Sequence, residues 1–392
     1  LKTPAASMVY FDHSASTPPH PDVIRTMAEV MEQIYANPSS IHELGGQAEQ
    51  LVRRAREVVA GALNASGYDV IFTSGATESN NIAILGTVRA LAGGRSRHII
   101  TSAVEHASVY ECFRELEREG VAVTYLPVDE HGRIRPAELE AAIRPETALI
   151  SLMHVNNETG SVQPLAEAGR IARAHPGIVF HVDGVQGLGK LPVDLEGWGV
   201  HLYSLSGHKI RGPKGVGALL RRGQAPLKPL FAGGAQEHRL RPGTVNVPGV
   251  IALSKAVRLA VEEQPANYER WSALRGLLLR RLEQVEPLVV NSPPLPLAAP
   301  HIVNLSFPGM KSEVVVHALE ESGVIVSTQS ACSSKLHQPS RVLMAMTNDA
   351  ERAASGLRIS MGADTDAAGI ERLADALEEV TKRLAPMRTS RR

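Results

Sequence analysis

The sequence predicts an α/β fold: a large domain on a mainly parallel seven-stranded sheet, followed by a smaller α+β domain. Two observations lead there. From about residue 69, short β-rich runs alternate with helical stretches, the pattern of βαβ units covered on both faces. After Val250 that alternation stops and longer helices and isolated strands take over. The composition of the 392 residues, 43% hydrophobic and 21% charged, is that of an ordinary globular protein with a sizeable core.

Tyr10 to Thr17 reads as a short strand running into a turn, with Pro18, Pro19 and Pro21 behind it. Asn37-Pro38-Ser39-Ser40 is placed to cap a helix, in which Ala48, Leu51, Val52, Ala55, Val58, Val59 and Ala62 recur at helical spacing. Seven strand-like runs then follow, at Asp69–Thr73, His98–Thr101, Ala122–Leu126, Ala148–Leu152, Ile178–Asp183, Val200–Leu205 and Val216–Leu220. Helices are expected between most of them, near 78–92, 107–119, 136–143 and 165–174. Two helices, near 249–263 and 267–286, lead to a proline-rich break at Ser292 to Pro300. Strands at His301–Phe307, Gly323–Ser327 and Leu357–Met361 and helices at 311–322 and 366–384 complete the chain. Residues 18–262 form the expected large domain, and 263–392 joined by 1–17 the small one.

Lys+Arg 41 balances Asp+Glu 41, so no overall field points to nucleic acid or a membrane as the main partner. No apolar run approaches the roughly 20 residues that span a bilayer, and Leu1 to Met8 carries no signal-type apolar stretch. Two cysteines, Cys112 and Cys332, are too few for a disulfide framework or a Cys-based zinc site. They fit a reducing cytoplasm, and no metal site is expected.

Ligands of parallel sheets bind beyond the carboxyl ends of the strands, and each polar motif follows a strand. Ser204 to Gly215 (SLSGHKIRGPKG) sets one lysine among a serine, a histidine and several glycines. A lysine amine condenses with an aldehyde, and Ser206 and His208 offer donors to a phosphate. The stretch reads either as a pyridoxal 5'-phosphate site or as a glycine-rich loop with a solvated lysine. Thr73 to Asn81 lies where a strand gives way to a helix, so Ala76 and Thr77 are either anion contacts or a capped helix start. Asp183, ending a strand, is either a partner for a protonated ring nitrogen, with Gln186 near the ring hydroxyl, or a turn residue. His106 is one of 15 histidines, and it and Asn157 stand out only through their motifs. Cys332 lies in a polar stretch, Thr328 to Ser340, expected to be exposed and mobile, which suits a reactive thiol. Cys112 falls within a helix, as a structural residue.

SGATESNN (74–81), EHASV (105–109), HVNNETG (154–160), HVDGVQGLGK (181–190), SGHKIRGPKG (206–215), RPGT (241–244) and SACSS (330–334) occur together and in order. With them the chain resembles the NifS/IscS-type cysteine desulfurases, class V members of the fold-type I pyridoxal-phosphate enzymes. The resemblance implies that Lys209 is the Schiff-base lysine and that Ala76, Thr77, Ser206 and His208 bind the cofactor phosphate. It implies Asp183 at the pyridinium nitrogen, His106 stacked on the ring as proton donor or acceptor, and Asn157 and Gln186 near the ring hydroxyl. Thr244 would reach the phosphate of a neighbouring subunit, which implies a homodimer. Asn157 and Arg358 would bind the substrate, the arginine clamping its carboxylate, and Cys332 would take sulfur from L-cysteine as a persulfide. The sulfur would pass to an acceptor protein, an iron–sulfur scaffold or, as STQSACSSK suggests, a tRNA-thiolating enzyme. Selenocysteine lyase and transamination are the rivals on the same fold, and transamination needs no thiol at Cys332. Asp183-Gly184-Val185-Gln186 departs from the commoner Asp-Ala-Ala-Gln, and Gln329 replaces a glycine.

Overall fold

The structure is a computed structural model describing residues 8–91, 98–223, 225–328 and 339–387. β1 (Val9–Tyr10) leads to α1 (Pro21–Gln33) and α2 (Glu43–Ala62). The alternating region gives β2 (Tyr68–Thr73), α3 (Ala76–Leu91), β3 (His98–Ser102), α4 (Ala107–Arg118), β4 (Ala122–Leu126), α5 (Pro136–Ala142), β5 (Thr147–Met153), α6 (Leu165–Ala174), β6 (Val179–Asp183), β7 (Leu202–Ser206) and β8 (Gly217–Arg222). Then come α7 (Val247–Leu282), β9 (Val289–Val290), β10 (Ile302–Ser306), α8 (Ser312–Glu321), β11 (Val324–Ile325), α9 (Arg341–Thr347), α10 (Ala350–Ala354), β12 (Gly356–Ser360) and α11 (Ala367–Leu384).

The seven expected strands form one sheet in the order β2-β8-β7-β6-β5-β3-β4. β3 to β7 pair in parallel, and β8 runs antiparallel to both its neighbours. Side chains of a strand point alternately to opposite faces, and here both faces are apolar. Val70, Phe72, Ile150, Phe180 and Leu205 pack against α2, α5, α6 and the first half of α7. Ile71, Ile99, Leu149, Val179 and Leu202 pack against α3 and α4. A separate cluster joins Trp271, Leu274 and Leu278 of α7 to β10, β12, α8 and α11, and it takes in Phe11.

Several elements differ from expectation. α1 was hidden by the prolines: Pro21 opens it, which suits a residue without an N–H, and His20 caps it by accepting from Asp22 N at 3.0 Å. α2 is capped by His42, accepting from Gly45 N at 3.2 Å, rather than by Asn37 to Ser40. The two helices expected near 249–263 and 267–286 are one helix of 36 residues that passes through Pro265. Its two halves are buried in different clusters, and that packing outweighs the hydrogen bond proline removes.

The opening residues are held by the far end of the chain. Val9 and Tyr10 pair in parallel with Val324 and Ile325, and Ser360 N donates to Phe11 O at 2.7 Å. Ser14 N donates to Ser360 Oγ at 2.8 Å, so this strand end holds residues 11–14 against the sheet's carboxyl edge.

Candidate active site

The carboxyl ends of β2, β5, β6 and β7 and residues 14–16 surround a cavity of about 570 Å³, a size suited to a small cofactor with substrate. It is lined by Ala76, Thr77, His106, Asn157, Asp183, Gln186, Ser206, His208, Lys209 and Arg358 among others. Ten of the residues singled out from the sequence therefore share one space. Thr244 is exposed and is not among the lining residues. Cys332 lies outside the described residues.

Lys209 projects from a single turn, Gly207–Lys209, directly after β7. Thr17 fixes that turn: its N and Oγ1 both donate to His208 O, at 2.9 and 2.8 Å, and Oγ1 accepts from Arg211 N at 2.9 Å. The Lys209 ammonium donates to Ser14 O at 2.5 Å and to Ala15 O at 3.0 Å. Gln186 Nε2 reaches Ser14 O as well, at 2.9 Å. These contacts come from backbone carbonyls, which residue type does not advertise. The sequence reading missed Ser14 and Ala15, although the strand and turn at Tyr10 to Thr17 were the signal that could have found them.

Asp183 ends β6 and is 5% exposed. Its oxygens accept from Val185 N at 3.1 Å and Asn80 Nδ2 at 2.9 Å, both neutral donors, and among the described residues no ion pair includes it. A buried carboxylate without a cation suits the protonated ring nitrogen of pyridoxal phosphate. At the other end of the cavity Ala76 and Thr77 open α3, where the first amides lack a carbonyl within their own helix. A Cβ on Gly217 would lie 2.6 Å from Leu205 O and 2.7 Å from Gly75 Cα. Only glycine there lets the β2–α3 turn sit this close to β8. Burial, with Lys209 and Lys214 nearby, lowers His208 to about 4, so it is neutral at pH 7 and offers one N–H. The residues present fit the cofactor.

His106 caps α4, its Nδ1 accepting from Ser108 N at 3.2 Å. Burial lowers its pKa, opposed by Asp183 and reinforced by Lys209. Arg341 donates to the carbonyls of Ala103 and Glu105, just ahead of this cap, and lies 3.9 Å from the Tyr110 ring centroid. Behind the turn, Glu105 accepts from Ser102 Oγ at 2.6 Å and Met153 N at 3.1 Å, and burial pushes it up to about 8. Arg358, on β12, donates to Asn157 O at 3.0 Å and Asp12 Oδ1 at 2.8 Å. Its Nε is buried and without a partner, leaving a donor for a bound carboxylate. Cys112 is buried in α4 and raised by burial to about 12, as a structural thiol should be.

Residues 9–373 match the family model described as aminotransferase class-V. The chain is 41% identical to a protein named cysteine desulfurase IscS from Dictyoglomus turgidum, over 96% of this chain and 95% of that one. It is 40% identical to a cysteine desulfurase IscS from Methanosarcina thermophila, over 97% and 93% of the two chains. Among solved structures, a NifS-like protein superposes with a TM-score of 0.90 at 34% identity, covering 96% of this chain and all of that one. DndA from Streptomyces lividans gives a TM-score of 0.76 at 38% identity, over 90% and 99%. With a mainly parallel sheet, a strand-end lysine and a buried strand-end aspartate lining one cavity, and these relatives, the chain belongs to the class-V aminotransferase family, in its group of NifS/IscS-type cysteine desulfurases.

Proposed function

We propose that the chain is a pyridoxal-phosphate-dependent cysteine desulfurase, converting L-cysteine to L-alanine and holding the sulfur as a persulfide on Cys332. The observation that carries this reading is the convergence of Lys209, Asp183 and Arg358 on one cavity. The cofactor, when bound, supplies the electron sink for negative charge at the substrate Cα. Every other task falls to side chains of the protein.

In this reading Lys209 would hold the cofactor through its aldehyde, and its Nζ would accept the substrate's Cα proton. Asp183 would pair with the ring nitrogen, His106 would stack on the ring and pass protons, and Asn157 and Gln186 would address the ring hydroxyl. Ala76, Thr77, Ser206 and His208 hold the phosphate, joined by Thr244 from a second copy in a homodimer. Arg358, with Asn157 beside it, orients the substrate carboxylate, so that Cα faces Lys209. The Cys332 thiolate would attack the substrate sulfur: the S–S bond forms, the C–S bond breaks, its electron pair stays on the carbon side and Cβ is protonated, and Lys209 Nζ returns a proton to Cα to give alanine. The persulfide then passes to an acceptor protein, an iron–sulfur scaffold or a tRNA-thiolating enzyme, in the cytoplasm. Residues 18–262 act as the cofactor-binding domain and 263–392 with 1–17 as the domain carrying Cys332. No described helix is long and apolar enough to cross a membrane.

The test is incubation with L-cysteine and a reductant, measuring alanine and sulfide together. Wild type yields both, Cys332→Ala yields neither at a comparable rate, and Lys209→Ala loses the yellow colour of the bound cofactor. Equal turnover by wild type and Cys332→Ala would overturn the assignment.

A further inference from the structure

Asn80 lies on α3 with no exposed surface, and both hydrogens of its amide are used inside the site. Nδ2 donates to Asp183 Oδ2 at 2.9 Å and to Ser108 Oγ at 2.9 Å. The orientation of the amide follows from chemistry, because a carboxylate accepts and the NH₂ rather than the oxygen must face it. Ser108 carries the connection onward: its Oγ is 2.9 Å from His106 Nδ1 and its N–H donates to the same nitrogen at 3.2 Å. Since Oγ already accepts from Asn80, its own hydrogen is available to His106. Two donors converging on Nδ1 leave the proton of a neutral imidazole on Nε2. The remaining oxygen of Asn80 is buried without a partner. A side chain selected for packing alone would not leave a polar atom stranded in this way.

We infer that Asn80 is a positioning residue for the reaction proposed above: through Ser108 it ties the carboxylate under the cofactor ring to the tautomer and orientation of His106. The inference rests on that functional reading but concerns a residue the reading leaves without a task. It makes Asp183 and His106 one unit, so disturbing the bridge alters how the histidine presents its proton while leaving the substrate arginine alone.

The experiment uses the full chain loaded with pyridoxal phosphate and labelled with ¹⁵N-histidine. In wild type the ¹⁵N shifts of His106 place the proton on Nε2. In Asn80→Ala and in Ser108→Ala the tautomers mix, kcat falls about 10-fold and KM for L-cysteine stays within about 2-fold. The double variant falls about 10-fold as well, because both changes break one connection. Unchanged tautomers, or losses that multiply to about 100-fold, would overturn the inference. If Asn80→Ala fails to fold, Ser108→Ala decides alone, since its position is half-buried and its backbone donor survives. A wild type that takes up no cofactor sinks the functional reading, and the His106 shifts in the same sample still decide the bridge.

Discussion

Arg358, buried at the wall of the cavity, and the half-buried Asp12, 346 positions apart, meet in an ion pair of 2.8 Å. The aspartate leaves Nε of the arginine without a partner and holds the guanidinium plane in place. Removing Asp12 leaves the buried Arg358 charge uncompensated, at a cost of about 3 kcal/mol. Asp12→Ala is therefore expected to lose about that much stability in urea unfolding. It is also expected to raise KM for L-cysteine about 10-fold with a smaller change in kcat, read from steady-state kinetics. An unchanged KM would separate Arg358 from substrate binding.

Glu105 gives the fold a pH dependence of known sign. Burial raises it from 4.5 to about 8, so the folded chain keeps a proton that the unfolded chain releases. Its contribution to stability is fully present below 4.5 and is lost as pH climbs to about 8. Glu105→Gln removes this dependence. Thermal melts of the two proteins between pH 5 and pH 8 should diverge by up to about 1.4 kcal/mol per pH unit, the variant gaining on the wild type as pH rises. Parallel melting curves would show that Glu105 ionises normally.

Gly184 departs from the alanine usual at its place in the motif, and Tyr203 gives the reason. A Cβ on Gly184 would lie 1.9 Å from Cζ and 2.2 Å from the hydroxyl oxygen of that fully buried ring. Gly184→Ala should destabilise the protein by about 2–3 kcal/mol through overpacking. Adding Tyr203→Leu should recover part of the loss, a non-additivity measurable by denaturant unfolding. Additive effects would mean the two positions do not press on one another.

Glu237 braces the edge strand leading to the expected phosphate end. It receives two hydrogen bonds from Arg56, at 2.7 and 2.6 Å, and one from Phe72 N at 2.8 Å on β2. Glu237→Ala strands the amide and is expected to cost about 2–3 kcal/mol, whereas Glu237→Gln retains part of the bonding and costs less. Chemical denaturation of the two variants distinguishes them.

The sheet was legible because β5, β6 and β7 are buried on both faces, so they read as short, nearly continuous apolar runs. The motifs that line the cavity were legible because their side chains carry distinctive chemistry at strand ends. Three kinds of feature were not. α1 begins at a proline, and α7 runs through one, so residue type argued for breaks where packing sustains helices. Ser14 and Ala15 act through carbonyls, which every residue has. Asn80 and Ser108 matter as bridges, and bridging depends on where α3 and α4 come to rest rather than on local pattern.

The grip of Ser360 on residues 11–14 bears on how the protein is made. On the ribosome, Arg358 emerges 346 residues after Asp12, when every strand of the seven-stranded sheet is already out. The newborn polypeptide must carry residues 11–14 uncommitted over that whole interval. The lysine turn acquires its carbonyl lining, and the arginine its counter-ion, only once β12 has been made.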